Sequence, residues 1–554
     1  MMNRQRLLLA AFSGLLQGLA YSNADTGVPA VVIFVALVPL MWAILVDGDD
    51  RSTLTRLLVP LYVCFFAFHG VANWWISSWQ ERTDPYLFAS GIAVWLAHPF
   101  FLMMPWLCIA WIARRTSITF TLSMMPFVVT AFEWLHGQTD LSYPWLSLGY
   151  AVVNLPFVQI ADVVGVYGLT FLIVLINVLV FRLVLALLRR EAVWKLAVAS
   201  LTVCVAWAVL GNMHKHAQKE IVSKPTIRVG IIQPNIDPWD KWQSPQEQVL
   251  IHRNVSDSLL RTEGPTDITV WSETAIPYTI RNYRYIGDWM QLRSWVDSTR
   301  SSLLTGFADI FLYEPGTAPA SARSLALDPS MRYDHFNAAM IVNPRRYDVP
   351  VHRKTMLTPF AERLPFADQL SFAMKWFEWG VGISAWGKGT ERLPLPVVRE
   401  KDTLAMIGTV ICIESIYPDV AREMVRNGAN VLSVITNDAW YNGTWGPRQH
   451  YLIAQMRAIE TRRSIIRCAS SGVSGVIDAT GTSVMELPIQ RRVGDVTDVG
   501  CSSSITFYVR YGDWIAVISG IITLLAVIIA RIPALLRILR IDTVRQSSHN
   551  LMNS

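Results

Sequence analysis

Charged side chains are scarce in this chain. Of 554 residues, 16% are Asp, Glu, Lys or Arg and 52% are hydrophobic, whereas a soluble globular domain carries about 25% charged residues. The deficit excludes a chain that is soluble throughout. Metal-binding spacings are missing too. The six cysteines, Cys64, Cys108, Cys204, Cys412, Cys468 and Cys501, form no CxxC pair and no Cys/His pattern, so neither a metal nor another cofactor is expected. Three of them, Cys64, Cys108 and Cys204, sit in apolar runs, where cysteine behaves as a small hydrophobe. Whether Cys468 and Cys501 pair is left open by the sequence. No basic stripe with interleaved aromatics occurs in the less apolar part. Nucleic acid is therefore not an expected partner, despite a formal net charge of +6. Lys and Arg are absent from residues 22–27 and 136–164, and residues 78–86 hold only Arg82.

What is abundant is apolar sequence. Eight runs lie at about 5–21, 28–46, 57–77, 87–113, 118–135, 165–188, 194–212 and 512–531. Each comes near the roughly 17–25 residues that cross a bilayer core. Trp74, Trp75, Trp79, Trp106, Trp111, Trp134 and Trp145 flank them, as suits rings that prefer the wet edge of a membrane. The first run, preceded by Arg4 and Arg6, also has the outline of a signal peptide; the runs that follow favour a retained helix.

The arginines orient the set. Arg4 and Arg6, Arg51 and Arg56, Arg114 and Arg115, Arg189 and Arg190 with Lys195, and Arg531, Arg537, Arg540 and Arg545 all fall on one side. The positive-inside rule makes that side the cytoplasm. The expected organisation is a polytopic α-helical bundle of seven helices over 1–213, an outer domain over 222–508, a C-terminal span over 512–531 and a cytoplasmic tail over 532–554. In a bacterium this is a multi-pass protein of the inner (cytoplasmic) membrane with its large domain on the periplasmic side.

The outer domain alternates short apolar strands with helical patterns, an α/β layout. Strands are predicted over Thr226–Gln233, Asp267–Trp271, Ser302–Phe307, Ala338–Asn343, Leu404–Ile413, Val431–Thr436, Ser464–Ala469 and Gly475–Asp478. Helices are predicted over Gln246–Thr262, Trp289–Ser301, Asp419–Asn427 and Gln449–Arg462.

Three polar residues stand at the ends of such segments. Glu273 closes Val270-Trp271-Ser272-Glu273, Lys354 follows His352-Arg353, and Cys412 ends the apolar run from Leu404. A thiol nucleophile, a carboxylate to take its proton and an ammonium to hold developing negative charge are the parts of a thiol acyl-transfer site. Glu362 and Glu414 are candidate supporting groups, and the backbone N–H of Ile413 is a candidate oxyanion donor. Each has a plainer reading. Cys412 is then a core thiol, Glu273 a surface carboxylate, Lys354 part of a solvated basic turn, and Glu362 and Glu414 structural acceptors.

A wider ordered set accompanies these residues. It comprises Tyr143-Pro144-Trp145-Leu146, Gln233-Pro234-Asn235, Lys241-Trp242, Glu273-Thr274-Ala275-Ile276-Pro277, Pro359-Phe360-Ala361-Glu362, Asn437-Asp438-Ala439-Trp440, Gly446-Pro447 with Gln449-His450, and Arg457-Ala458-Ile459-Glu460-Thr461. On these residues the outer domain resembles the nitrilase superfamily of carbon-nitrogen hydrolases. With the spans included, the chain resembles the apolipoprotein N-acyltransferase family. Ser272, Ile413 and Ala361 stand where that family usually has Pro, an aromatic residue and Gly.

The resemblance implies an α-β-β-α sandwich and a Glu273–Lys354–Cys412 triad working by a ping-pong thioester route. It implies a phospholipid acyl donor, typically phosphatidylethanolamine. The implied acceptor is the α-amine of a diacylglyceryl-Cys at a lipoprotein N-terminus. Substrate contact is expected from Trp242, with core packing as the alternative. It is also expected from Trp376 and Trp379 in the aromatic segment Leu370–Gly380. That segment reads either as a lid dipping into the membrane interface or as a core-packed helix. Two other classes stay open: a membrane-tethered amidase using water as acceptor, and a non-catalytic lipid or lipoprotein binder.

Overall fold

Where an apolar run has no internal break it forms one helix, and each break traces to particular residues. The computed structural model describes residues 2–22, 29–46, 54–79, 85–221, 225–239, 244–325, 328–370, 372 and 386–532. Of the expected tail over 532–554, residues 533–554 lie outside the described residues. Eight helices come first: α1 (Met2–Ser22), α2 (Val38–Leu45), α3 (Thr55–Ala72), α4 (Pro85–Leu102), α5 (Met104–Ala113), α6 (Ile118–Gly137), α7 (Ala161–Leu188) and α8 (Trp194–Ile221).

Among the described residues, six helical segments are long and apolar enough to cross a bilayer: 55–72, 87–113, 118–137, 156–188, 194–213 and 514–531. The other two runs read from the sequence take a different form. Helix α1 has the length, but Arg4, Gln5, Arg6, Ser13 and Gln17 dilute its apolar character. Ser13 and Gln17 turn inward, Ser13 Oγ donating to the Ala36 carbonyl at 2.6 Å. The run 28–46 is split into a 3₁₀ segment, Pro29–Phe34, and the short α2. Pro39 begins α2 and has no N–H to continue a helix through it. The backbone freed at this break is met by Asn177 of α7. Its Nδ2 donates to the Ile33 carbonyl at 2.8 Å and its Oδ1 accepts the Leu37 N–H at 2.9 Å. Non-helical backbone at membrane depth survives only with such partners.

The α/β part is two sheets packed face to face. Strands β1 (Thr226–Gln233), β2 (Ile268–Val270), β3 (Ser302–Tyr313), β4 (Arg323–Ser324), β5 (Arg332–Val342), β6 (Val351–Arg353) and a late-arriving β13 (Val493–Gly500) form one sheet of seven. Its order is β13-β1-β2-β3-β5-β4, with β6 also on β5. Strands β7 (Leu395–Arg399), β8 (Asp402–Ile411), β9 (Val431–Thr436), β10 (Ile465–Ala469), β11 (Gly475–Ile477) and β12 (Ser483–Glu486) form the second, in order β12-β11-β10-β9-β8-β7. The central trios β1-β2-β3 and β8-β9-β10 are parallel. Buried along its whole length, β9 therefore reads as a largely apolar run, broken only by Ser433 and Thr436, rather than an alternating one.

Val229, Ile231, Val270, Leu304 and Ile341 of the first sheet meet Val397, Ile407, Ile411, Ile435 and Ile466 of the second. Helices α9 (Pro245–Glu263) and α10 (Ile286–Thr299) cover the outer face of the first sheet through Leu259, Leu292, Trp295 and Val296. Helices α11 (Pro418–Arg426) and α12 (Gly446–Thr461) cover the other side. The expected α-β-β-α sandwich is thus what forms. Its second helical layer is not a solvent face. Val420, Met424, Tyr451 and Ile453 belong to one continuous core with Phe68, Trp75, Trp145 and Val166 of the membrane bundle.

Polar ties reinforce that junction. Arg462, just past α12, pairs with Asp162 at the start of α7 at 2.9 Å and donates to the Gln159 side chain and carbonyl at 2.7 Å each. Gly165 bends the entry to α7 with φ of +64°, and a Cβ there would meet the Tyr508 ring at 2.5 Å. The N–H of Val166, released by that bend, donates to Glu460 Oε1 at 2.8 Å. A short α13 (Phe507–Tyr511) and the terminal helix α14 (Trp514–Arg531) complete the chain's described part, with α14 lying along α6.

Candidate active site

Three loops at strand ends converge between the two sheets. Glu273 follows β2, and the turn carrying it presses onto β3 at Gly306. A Cβ at Gly306 would stand 2.4 Å from the Thr274 nitrogen, so no larger residue allows this approach. Lys354 follows β6, its N–H donating to the Asn337 carbonyl at 2.9 Å. The three basic residues in a row are sorted by the period of two in an extended chain. His352 and Lys354 point inward, at 2% and 1% exposure. Arg353 points the other way, to Asp309 at 2.8 Å. The reading of this stretch as a solvated turn is therefore excluded for Lys354.

The Lys354 ammonium lies 2.9 Å from Glu362 Oε1 and 3.3 Å from Glu273 Oε1. Asn337 on β5 bridges the same two carboxylates, its Nδ2 donating to Glu273 at 2.7 Å and to Glu362 at 3.2 Å. The second oxygen of Glu362 accepts the Thr358 N–H at 2.8 Å. Burial alone would strip the proton from Lys354, but the charges of Glu362, Glu273 and the thiol site raise its pKa above the usual lysine value. Burial works against ionised Glu362, yet the Lys354 charge holds its pKa below the ordinary carboxylate value. Lys354 is thus a fixed cation, suited to stabilising an anion and unsuited to taking a proton.

Cys412 begins a one-turn helix, Cys412–Ile416, directly after β8, and its φ is +51°. A non-glycine residue in that left-handed region is strained by about 1–3 kcal/mol. Glu414 braces the turn and reaches across to the lysine strand. It accepts the Ile411 N–H at 2.8 Å, the Thr355 N–H at 2.6 Å and the Thr355 hydroxyl at 2.7 Å, and it lies 3.2 Å from His352 Nε2. Burial opposes its charge, but His352 and these donors hold its pKa down at about 2. Burial of the Cys412 sulfur, followed by the charge of Glu273, pushes the thiol up to about 12, with Lys354 and Thr436 pulling the other way. The sulfur therefore lies in electrostatic reach of both Glu273 and Lys354, and it is a thiol at neutral pH. Ile413 occupies the second position of the one-turn helix, where N–H groups lack an intrahelical acceptor.

The Cys412 turn is tied to the membrane bundle within five residues. Tyr150 donates to the Ile416 carbonyl at 2.9 Å, and the Tyr417 and Ser142 hydroxyls are 3.0 Å apart. Gln449 of α12 accepts from the indoles of Trp75 and Trp145 at 3.1 and 2.9 Å and donates to the Ala72 carbonyl at 2.8 Å. The site thus sits where the sandwich meets the bundle. Trp242, Trp376 and Trp379, and with them nearly all of the Leu370–Gly380 segment, lie outside the described residues. Cys468 and Cys501 are both unpaired, Cys468 lying in the apolar space between the sheets.

Two contributors went unread in the sequence. Asn337 lies among apolar neighbours on β5, and a buried amide in such a strand is the only hint it offers. His352 looked like one of three surface bases. Among the described residues, no group of three or more His, Cys, Asp or Glu is arranged to hold a metal ion.

A two-sheet sandwich with a carboxylate, an ammonium and a thiol at its strand ends, fused to membrane helices, defines a membrane-embedded enzyme of the carbon-nitrogen hydrolase class. Family models agree: residues 13–179 match the apolipoprotein N-acyltransferase N-terminal domain and residues 228–498 match carbon-nitrogen hydrolase. The apolipoprotein N-acyltransferase of Chlorobaculum tepidum is 31% identical, over 94% of this chain and 96% of its own. That of Geobacter metallireducens is 28% identical over 92% of each chain, and that of Thermotoga maritima 26% identical over 95% of this chain and 94% of its own. The chain belongs to the apolipoprotein N-acyltransferase family. It is an acyltransferase-type enzyme carried by a multi-pass bundle, and its family places it in lipoprotein maturation.

Proposed function

We propose that this enzyme moves a fatty acyl chain from a phospholipid, through a thioester on Cys412, to the α-amine of the N-terminal diacylglyceryl-Cys of lipoproteins. The observation that carries this reading is the buried Glu273–Lys354 pair beside the Cys412 thiol, on a turn anchored to the membrane bundle. With a pKa near 12, the thiol needs a base at the moment of attack. Glu273 takes its proton as sulfur bonds to the ester carbonyl carbon. The charge that forms on the carbonyl oxygen is met by the Lys354 ammonium and the Ile413 N–H, donors already in place before the reaction.

The carbon–oxygen bond then breaks, and Glu273 returns the proton to the departing lysophospholipid alcohol. In the second half-reaction Glu273 takes a proton from the incoming amine as its nitrogen attacks the thioester carbonyl. The sulfur leaves and recovers a proton. Glu362 and Asn337 hold the lysine and the base at their spacing, and Glu414 keeps the lysine strand and the nucleophile's turn in register. Trp242, Trp376 and Trp379 are assigned to substrate contact.

Both substrates carry lipid chains, so a site at the bundle junction meets them without drawing either out of the bilayer. Phosphatidylethanolamine is the favoured donor. The domain over 222–508 faces the periplasm, with the arginine-bearing loops and both termini in the cytoplasm of a bacterium's inner membrane. The deciding experiment incubates the purified full chain with phosphatidylethanolamine vesicles and a diacylated lipoprotein. Mass spectrometry of the lipoprotein N-terminus is expected to find an added amide-linked acyl group. Release of free fatty acid with an unmodified N-terminus would replace this reading with a hydrolase.

A further inference from the structure

The strained backbone of Cys412 needs restraint from more than its own turn, because a residue at φ of +51° relaxes unless its surroundings over-determine it. One restraint is local: the Ser415 hydroxyl donates to the Cys412 carbonyl at 3.0 Å. Another comes from α12. His450 Nε2 is 3.2 Å from that same carbonyl and 2.7 Å from Ser415 Oγ. The other ring nitrogen, Nδ1, is 2.9 Å from Asp438 Oδ1.

Asp438 is itself fixed. Arg467 donates to its Oδ2 at 2.8 Å and Thr436 to its Oδ1 at 2.9 Å. Burial opposes its charge, but Arg467 and His450 keep it ionised well below the usual carboxylate range. An acceptor of fixed charge orients the ring. The contacts close with a hydrogen on each ring nitrogen, Nδ1–H donating to Asp438 and Nε2–H to Ser415 Oγ and the Cys412 carbonyl. The Trp145 ring, 5.3 Å from the imidazole, closes the remaining side from the bundle. Thr436, whose hydroxyl holds Asp438, also pulls the Cys412 thiol back toward its usual range.

We infer that His450, oriented by Asp438, is a positioning residue for the acyl-transfer reaction: it grips the Cys412 carbonyl and thereby holds the thiol at the angle from which Glu273 and Lys354 are in reach. This rests on the reading of Cys412 as the nucleophile. His450 touches neither substrate nor the reacting sulfur, so its loss should leave donor binding intact and slow the step that uses the thiol.

The test uses the full chain in phosphatidylethanolamine vesicles, following Cys412 thioester formation against donor concentration. His450→Ala should lower kcat about 100-fold, the effect of misplacing a reacting group by about 1 Å, with KM within about twofold. His450→Gln, which still reaches the carbonyl with an amide, should recover about tenfold of that loss. Adding Asp438→Asn to His450→Ala should slow the step no further, because Asp438 acts through the ring. A wild-type rate in His450→Ala would overturn the inference. A loss shared between kcat and KM, or Asp438→Asn adding its own full loss, would also overturn it. Should His450→Ala fail to fold, His450→Gln no faster than Glu273→Gln would count against it as well. Absence of any Cys412 acyl adduct in the wild-type chain would instead reject the nucleophile assignment, a separate outcome.

Discussion

Arg462 Nη2 and Asp162 Oδ2 stand 2.9 Å apart across 300 positions of sequence, both all but excluded from water. The pair joins the end of α12 to the entry of α7, so sandwich and bundle are bolted together at that point. Removing one partner of a buried pair leaves an uncompensated charge and typically costs about 3–5 kcal/mol. Arg462→Met is therefore expected to lower the melting temperature in detergent sharply, and Arg462→Met with Asp162→Leu to regain part of the loss. A single variant that melts like wild type would show that the junction is held by apolar packing alone.

The proposed thioester route, with two separable half-reactions, predicts that phospholipid without acceptor labels Cys412. Cys412→Ala is expected to carry no hydroxylamine-sensitive acyl group, and Cys412→Ser next to none, its hydroxyl being far harder to ionise. A label that persists in Cys412→Ala places the intermediate elsewhere.

Glu273 and Lys354 should fail differently. In the proposed mechanism Glu273→Gln removes the base, so only thiolate formed by solvent reacts. Thiolate rises about tenfold per pH unit below the thiol pKa, which stands near 12. The variant's thioester rate should climb accordingly between neutral and alkaline pH. Lys354→Met loses an oxyanion partner, a deficit of about 100- to 1000-fold that alkali does not mend. Parallel pH profiles for the two variants would undo the division of roles.

Glu414 sets an acid limit. Its folded pKa is about 2 against an ordinary 4.5, so its contribution is present above 4.5 and is lost as pH falls through 2. The shift corresponds to stabilisation on the order of 3 kcal/mol at neutral pH. Denaturant titrations should show the wild-type chain losing stability across that acid window, with Glu414→Gln less stable at neutral pH and flatter below it. Equal slopes for the two proteins would deny Glu414 this role.

How much of this was legible beforehand depended on whether a residue's partner lay nearby in sequence. The strand runs at Thr226–Gln233 and Val431–Thr436 were readable because both are short and rich in Val and Ile, the composition of a strand buried largely on both faces. Glu273, Lys354 and Cys412 were readable as an ordered set of reactive types. Asn337 was not, because its role arises only when β6 pairs with β5 and sets Ala338 opposite Arg353. Strand β13 also escaped. Its Val-Gly-Asp-Val-Thr-Asp-Val-Gly sequence is rich in turn-forming residues and becomes a strand by pairing with β1 along its whole length. The run 28–46 read as a simple span, although it holds Pro39, because the partner that satisfies the broken backbone, Asn177, lies far along the chain.

Sidedness is open to a direct check. A phosphatase reporter fused near residue 300 is expected to be active and one at the C-terminus silent, since the arginine-rich loops should face the cytoplasm. The reverse pattern would reject the proposed orientation.

Helix α14 lies along α6, yet it follows every strand of the sandwich in the chain. During translation, Glu273, Lys354 and Cys412 are therefore all made before this wall of the membrane scaffold. Insertion of Trp514–Arg531 comes after every strand of the sandwich has been synthesised. A transcript truncated just upstream of it would yield a protein bearing every reactive group and lacking the brace that seats them in the bilayer.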